Sequence, residues 1–142
     1  MHGKRGQAGI EYVILTGLLL FFFIPLIHYS LQESNNAIKN SQLDSYVNRL
    51  AKSIDAVHSI GPGSSEIVII TVPKGVTESS FSDCSFEGIN EFVLKVGMYG
   101  GISDVHASVK PCLYGELPIT HGTYHLKVLS INETAINISW GS

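Results

Sequence analysis

The chain has 142 residues, 44% hydrophobic and 15% charged, which leaves room for one domain and one further segment. Its formal net charge is −3; without residues 1–6, which hold Lys4 and Arg5, seven basic residues face twelve acidic ones, a balance of −5. A mildly acidic chain with no basic cluster excludes nucleic-acid binders, which need concentrated Lys and Arg to displace phosphate counterions.

In chain order, a short basic cap, Lys4-Arg5-Gly6-Gln7, leads into Ala8-Gly9-Ile10-Glu11-Tyr12. From Val13 to Ile27 there is no charge, and only Thr16, Gly17 and Pro25 interrupt the apolar side chains. Ala8 to Ile27 is 20 residues, which as a helix spans about 30 Å, the thickness of a hydrocarbon core. His28 and Tyr29 follow, side chains suited to the lipid–water interface. Pro25 removes a backbone donor and is expected to bend or loosen one turn. Lys4 and Arg5 before the span, with Lys39 the next basic residue, place the C-terminal part outside the cytoplasm by the positive-inside rule. A cleaved secretory signal would end at a small-x-small site, and Ile27 to Gln32 offers none.

From Leu31 to Ile60 the helix turns amphipathic. Ile38, Leu43, Tyr46/Val47, Leu50/Ala51, Ile54 and Val57 recur at three- and four-residue intervals, and Asn35, Asn36, Lys39, Asn40, Asp44, Arg49, Lys52 and Asp55 hold the other side. Gly61-Pro62-Gly63 ends it. The two halves together predict a helix of ~50 residues, roughly 75–80 Å long. Its expected soft joint is Ser34-Asn35-Asn36, polar and rich in weak helix formers.

After Ser65 the period changes to two. Glu66–Val72, Glu91–Val96, Val105–Lys110, Thr123–Ile131 and Thr134–Trp140 read as strands, and Ser79–Phe86 and Leu113–Leu117 carry a weaker alternation. Pro73-Lys74-Gly75, Gly97 to Gly101, Pro111, Gly115, Pro118 and His121-Gly122 supply the turns. Val105, Ala107 and Val109 should face inward, with His106, Ser108 and Lys110 outward; Ile136, Ile138 and Trp140 should share one side of the last strand. The fold class is therefore α+β: a long N-terminal α-helix, apolar then amphipathic, followed by a small antiparallel β-sandwich or twisted-sheet head, one face of which receives the stripe Leu43–Val57. The organisation is a leader at 1–6, a hydrophobic transmembrane or core helix at 7–30, its amphipathic continuation at 31–60 and a β-rich head at 61–142.

Candidate chemistry in the head is sparse. Cys84 and Cys112 are the two cysteines. With an export-type N-terminus they are a candidate disulfide, worth roughly 3–4 kcal/mol from chain entropy; two separate buried thiols are the alternative. Asn132-Glu133-Thr134 and Asn137-Ile138-Ser139 have the form of N-glycosylation acceptors. His121 and His125 on a strand lie some 13 Å apart, too far to share a metal, and read as surface histidines. His106 lacks a triad neighbourhood, and Gly97-Met98-Tyr99-Gly100-Gly101 lacks the strand–turn–helix setting of a phosphate loop. No enzymatic signature and no cofactor site is legible.

The run Lys4-Arg5-Gly6-Gln7-Ala8-Gly9-Ile10-Glu11-Tyr12 resembles the N-terminus of archaeal class III signal peptide-containing prepilins, members of the type IV pilin superfamily. Their pattern is a short basic leader ending in Gly, then Gln, then a Glu-Tyr pair opening the hydrophobic segment. Gly6, Gln7, Glu11 and Tyr12 match; Gly9 departs, where the family usually has Ser. The spacing from Gly6 to Glu11-Tyr12 is also similar to that of the bacterial Flp pilins, which are far smaller and lack a large β domain.

The resemblance implies that a prepilin peptidase recognises Lys4, Arg5, Gly6, Gln7, Glu11 and Tyr12 and cuts between Gly6 and Gln7. The precursor would sit in the cytoplasmic membrane with its C-terminal domain outside. A pilus assembly platform would then pack its helix with those of other pilin subunits into a filament core at the cell surface, displaying the β domain for adhesion. Cleavage would expose an α-amino group at Gln7, with Glu11 about 6 Å further along the helix. A neighbouring subunit shifted by about one turn could set its amino group against this carboxylate, a pair strongly favoured in apolar surroundings over either charge alone. In the alternative reading Glu11 complements the helix N-terminus. Two other functions stay open: a monomeric single-pass membrane-anchored surface protein with a ligand-binding β domain, and a pseudopilin-like component of a secretion or uptake machine.

Overall fold

The structure, a computed structural model, describes residues 3–84 and 88–141, with side-chain surroundings from Gly6 onward. It is an α+β fold. Among the described residues one helix, α1 (Gly3–Ile60), is followed by seven strands: β1 (Ser65–Val72), β2 (Val76–Phe81), β3 (Asn90–Met98), β4 (Gly101–Val109), β5 (Cys112–Gly115), β6 (Gly122–Ser130) and β7 (Ala135–Gly141). The chain divides into two compact units, Met1–Ala37 and Ile38–Ser142, and α1 contributes to both.

In the first unit every described residue from Gly6 to Leu31 is exposed. The helical pattern continues through Pro25 and through Ser34-Asn35-Asn36, and the division between units falls just after that polar patch, at Ala37/Ile38.

The second unit has one hydrophobic core. Leu43, Tyr46, Val47, Leu50, Ile54 and Val57 of α1 are all at most 3% exposed, so the i, i+3, i+4 stripe is the buried face. The stripe starts at Leu43 and not at Ile38, which is exposed: helical spacing alone cannot say where the sheets stop covering a face. Two sheets close the core: a four-stranded one in the order β1-β6-β7-β5 and a three-stranded one in the order β2-β3-β4. Ile70, Val72, Leu126, Val128, Ile136 and Ile138 point inward from the first, and Phe92, Leu94, Val96 and Val109 from the second.

The alternation expected for β4 is present, with Val105, Ala107 and Val109 partly or fully covered and His106, Ser108 and Lys110 exposed. Trp140 is the exception on β7. Ile136 and Ile138 are buried, but Trp140, paired with Leu126 of β6 and beyond the last β5 partner at Ile138, stays exposed, its ring edge-to-face with Tyr124 at 5.2 Å. Pairing is antiparallel throughout except β5 with β7, which is parallel, so the first sheet is mixed. The weakly alternating Ser79–Phe86 becomes β2, beginning directly after Gly75 and ending at Phe81; residues 85–87 lie outside the described residues. Gly97 and Met98 belong to β3, so the expected loop from Gly97 to Gly101 contracts to a two-residue hairpin at Tyr99-Gly100.

Polar contacts fasten α1 to both sheets. Ser53 donates its hydroxyl hydrogen to Glu66 of β1 at 2.5 Å, and Asp55 accepts from the Lys110 backbone N–H, just after β4, at 3.4 Å. The helix ends where Gly61 adopts φ 110°, a left-handed conformation open to Gly at low cost. The Gly61 N–H still donates to the Val57 carbonyl at 3.3 Å, and the Ser64 hydroxyl lies 2.8 Å from that same oxygen and 2.6 Å from the Gly61 carbonyl.

Candidate functional site

The candidate processing and assembly residues lie on the first turns of α1. Gly6, Gln7, Glu11 and Tyr12 are helical and exposed, Tyr12 at 73%. Gln7 and Glu11 are four residues apart and therefore share a helix face. Glu11, Tyr12 and Leu15 line a shallow dent in that surface. Lys4 and Arg5 belong to α1, and their side chains lie outside the described residues. α1 carries no acidic residue in its first turn. Because the helix dipole acts within about one turn of the end, Glu11 is poorly placed to complement the N-terminus of α1.

Beyond Tyr12 the surface is apolar on every side. Val13, Leu15, Leu18, Phe21, Phe22, Ile24 and Ile27 are all exposed, Phe21 at 74%. A helix apolar all round needs a covering of lipid or of other helices. This stretch is long and apolar enough to cross a membrane, with none of its window buried. At its far end His28 and Gln32 are joined by a side-chain hydrogen bond of 3.0 Å across one turn.

In the head, Cys84 and Cys112 are joined as a disulfide with Cα atoms 5.2 Å apart. Cys84 follows β2, an edge strand of the three-stranded sheet, and Cys112 opens β5, an edge strand of the four-stranded one. The bridge therefore ties the two sheets together at adjacent edges, where Ser79 of β2 also donates to the Leu117 carbonyl at 3.5 Å.

The two sequons are placed very differently. Asn132 lies in the exposed β6–β7 turn, whereas Asn137 is half-buried in β7, between β6 and β5. His121 Nδ1 lies 2.9 Å from the Val72 carbonyl, and His125 is exposed on β6. Among the described residues no three His, Cys, Asp or Glu side chains gather as metal ligands.

Two surface features were not foreseen. A cleft of ≈ 550 Å³ runs between α1 and the free edge of β1, lined by Arg49, Lys52, Ser53, Glu66 and Ile67 to Ile69. A second hollow lies between β2, the segment after β5, and Trp140, with Glu78 and Glu116 on its walls. The first had a signal in the sequence. Ile67-Val68-Ile69-Ile70 is apolar without alternation, the pattern of a strand covered on both faces, yet Ile67 and Ile69 are exposed here.

Compared with protein-family models, with curated proteins and with solved structures, the chain matches none.

Proposed function

We propose that this chain is a structural subunit, major or minor, of an archaeal type IV pilus-like surface filament. It is made as a membrane-embedded precursor, cut between Gly6 and Gln7 by a prepilin peptidase, and polymerises through the N-terminal half of α1. The β head is displayed outside for adhesion.

The observation that carries this reading is the uncovered apolar surface from Val13 to Ile27, opened by a lone carboxylate at Glu11. Lipid covers it in the precursor. In the filament, neighbouring helices do. A membrane anchor alone accounts for the apolar stretch, but gives no work to Gly6-Gln7 or to an acid at the mouth of the span, where an unpaired charge is costly. The α-amino group that cleavage creates on a neighbour's Gln7 is the cation that offsets it.

Gly6 and Gln7 lie within the first turns of α1, and a peptidase must open that segment to reach the bond. Gly3, Gly6 and Gly9 make this easier, since each is about 1 kcal/mol less favourable in a helix than Ala. The reading is tested by mass spectrometry of the N-terminal peptide of mature protein, followed by electron microscopy of sheared surface material labelled for this chain. A peptide starting at Gln7 and labelled filaments are expected. An intact Met1 would sink the prepilin reading, and a cut chain absent from every filament would sink the structural role.

A further inference from the structure

The β6–β7 turn holds a sequon in a defined conformation. Asn132 Oδ1 accepts from the Thr134 backbone N–H at 2.9 Å and from the Thr134 hydroxyl at 3.0 Å, while Ser130 Oγ donates to the Asn132 carbonyl at 3.2 Å. Asn132, Glu133 and Thr134 are all exposed. The turn is closed behind them by the Ile131 N–H bond to the Ala135 carbonyl at 3.0 Å. It lies at the end of the head where α1 finishes, next to the Ser130–Ser64 and Gly63–Ser130 backbone bonds. Both hydrogen bonds to the carboxamide go to its oxygen, and Nδ2 of this exposed residue has no partner among the described residues. Donors on that oxygen also draw electron density from the amide and make Nδ2–H easier to deprotonate.

Asn137 has the same tripeptide form but is half-buried within β7. Its Cα pairs with Leu129 on β6 and Tyr114 on β5, and presenting it to an enzyme would mean unzipping β7 from both neighbours.

We propose that Asn132, and not Asn137, is the site of N-linked glycosylation, the ligand being an oligosaccharide delivered from a lipid-linked phosphate or pyrophosphate donor. In the transfer, the sugar C1–O bond to phosphate breaks and a C1–Nδ2 bond forms. Nδ2 gives one proton to a base of the transferase, and the lipid phosphate leaves with the bonding electrons. The inference rests on the head lying across the membrane from Lys4 and Arg5, since sequons are used on exported surface loops.

The test is intact mass and peptide mapping of the full chain purified from its native cells. A ladder of hexose-sized increments confined to the peptide containing Asn132 is expected. Asn132→Asp keeps the acceptor oxygen of the turn but lacks the nucleophilic nitrogen, and should lose every increment, as should Thr134→Ala. Thr134→Ser and Asn137→Gln should keep them. Sugar on Asn137, on both sites or on neither overturns the proposal. Labelling of exposed Lys74 in intact cells with a membrane-impermeant reagent separates the two readings: a labelled head with a bare Asn132 defeats this inference and leaves the topology standing. An unlabelled head with a bare Asn132 defeats both.

Discussion

Gly115 on β5 packs directly on the backbone of Ile138 on β7, so close that a Cβ at this position would run into the Ile138 carbonyl. Its φ of 103° also lies in the region that side chains disfavour. Gly115→Ala should therefore push β5 off the sheet edge. A loss on the order of 2–4 kcal/mol is expected, as strain and a broken strand pairing add. Urea unfolding of the variant checks it, and an unchanged midpoint would mean that β5 is not held as described.

Tyr46 sits in the core at 2% exposure, with its hydroxyl unpartnered among the described residues. Burial pushes the phenol above its ordinary value. In the unfolded chain it ionises near pH ~10. Stability tied to the protonated phenol is thus complete below that pH and is lost as pH climbs toward the raised folded value. Tyr46→Phe should leave stability at pH 7 equal or higher and flatten the alkaline decline, read by denaturation midpoints between neutral and strongly alkaline pH. A steeper alkaline loss in the Phe variant would contradict this account.

Leucine offers a comparison within one helix. Leu50 is fully buried and Leu19 is 49% exposed. Leu50→Ala should cost ~2–5 kcal/mol of head stability through the cavity it leaves. Leu19→Ala should leave the thermal transition of the detergent-solubilised chain within about 0.5 kcal/mol, and should instead lower the yield of assembled filament. Equal stability losses in the two variants would show that the N-terminal stretch is part of the head's own core.

Glu11→Gln removes one partner of the proposed charge pair while keeping the shape of the side chain. Stranding the other charge in an apolar core costs ~3–5 kcal/mol, so filament recovery in shearing assays should collapse while precursor levels and head folding stay normal. Filaments at normal yield and stability would defeat the register role of Glu11.

The segmentation of the chain was legible in its residues because it depends on local periodicity. An uninterrupted apolar stretch, a stripe at three- and four-residue spacing and then alternation by two separate Val13–Ile27, Leu43–Val57 and the strands with no knowledge of contacts. The Glu11–Tyr12 motif is local as well, since its parts are adjacent. What the periodicity left open was everything decided by partners distant in sequence. Strand pairing assigned β5 to run parallel beside β7 and brought Cys84 within bridging distance of Cys112. It also left Ile38 bare while covering Leu43, and set Trp140 against Tyr124 at the surface. The two sequons show the division most plainly. Alternation by two already puts Asn132 between two strands and Asn137 within the last one; only the tertiary structure sets that strand between hydrogen-bonded β6 and β5, because access is a property of what folds against a residue and not of the residues beside it.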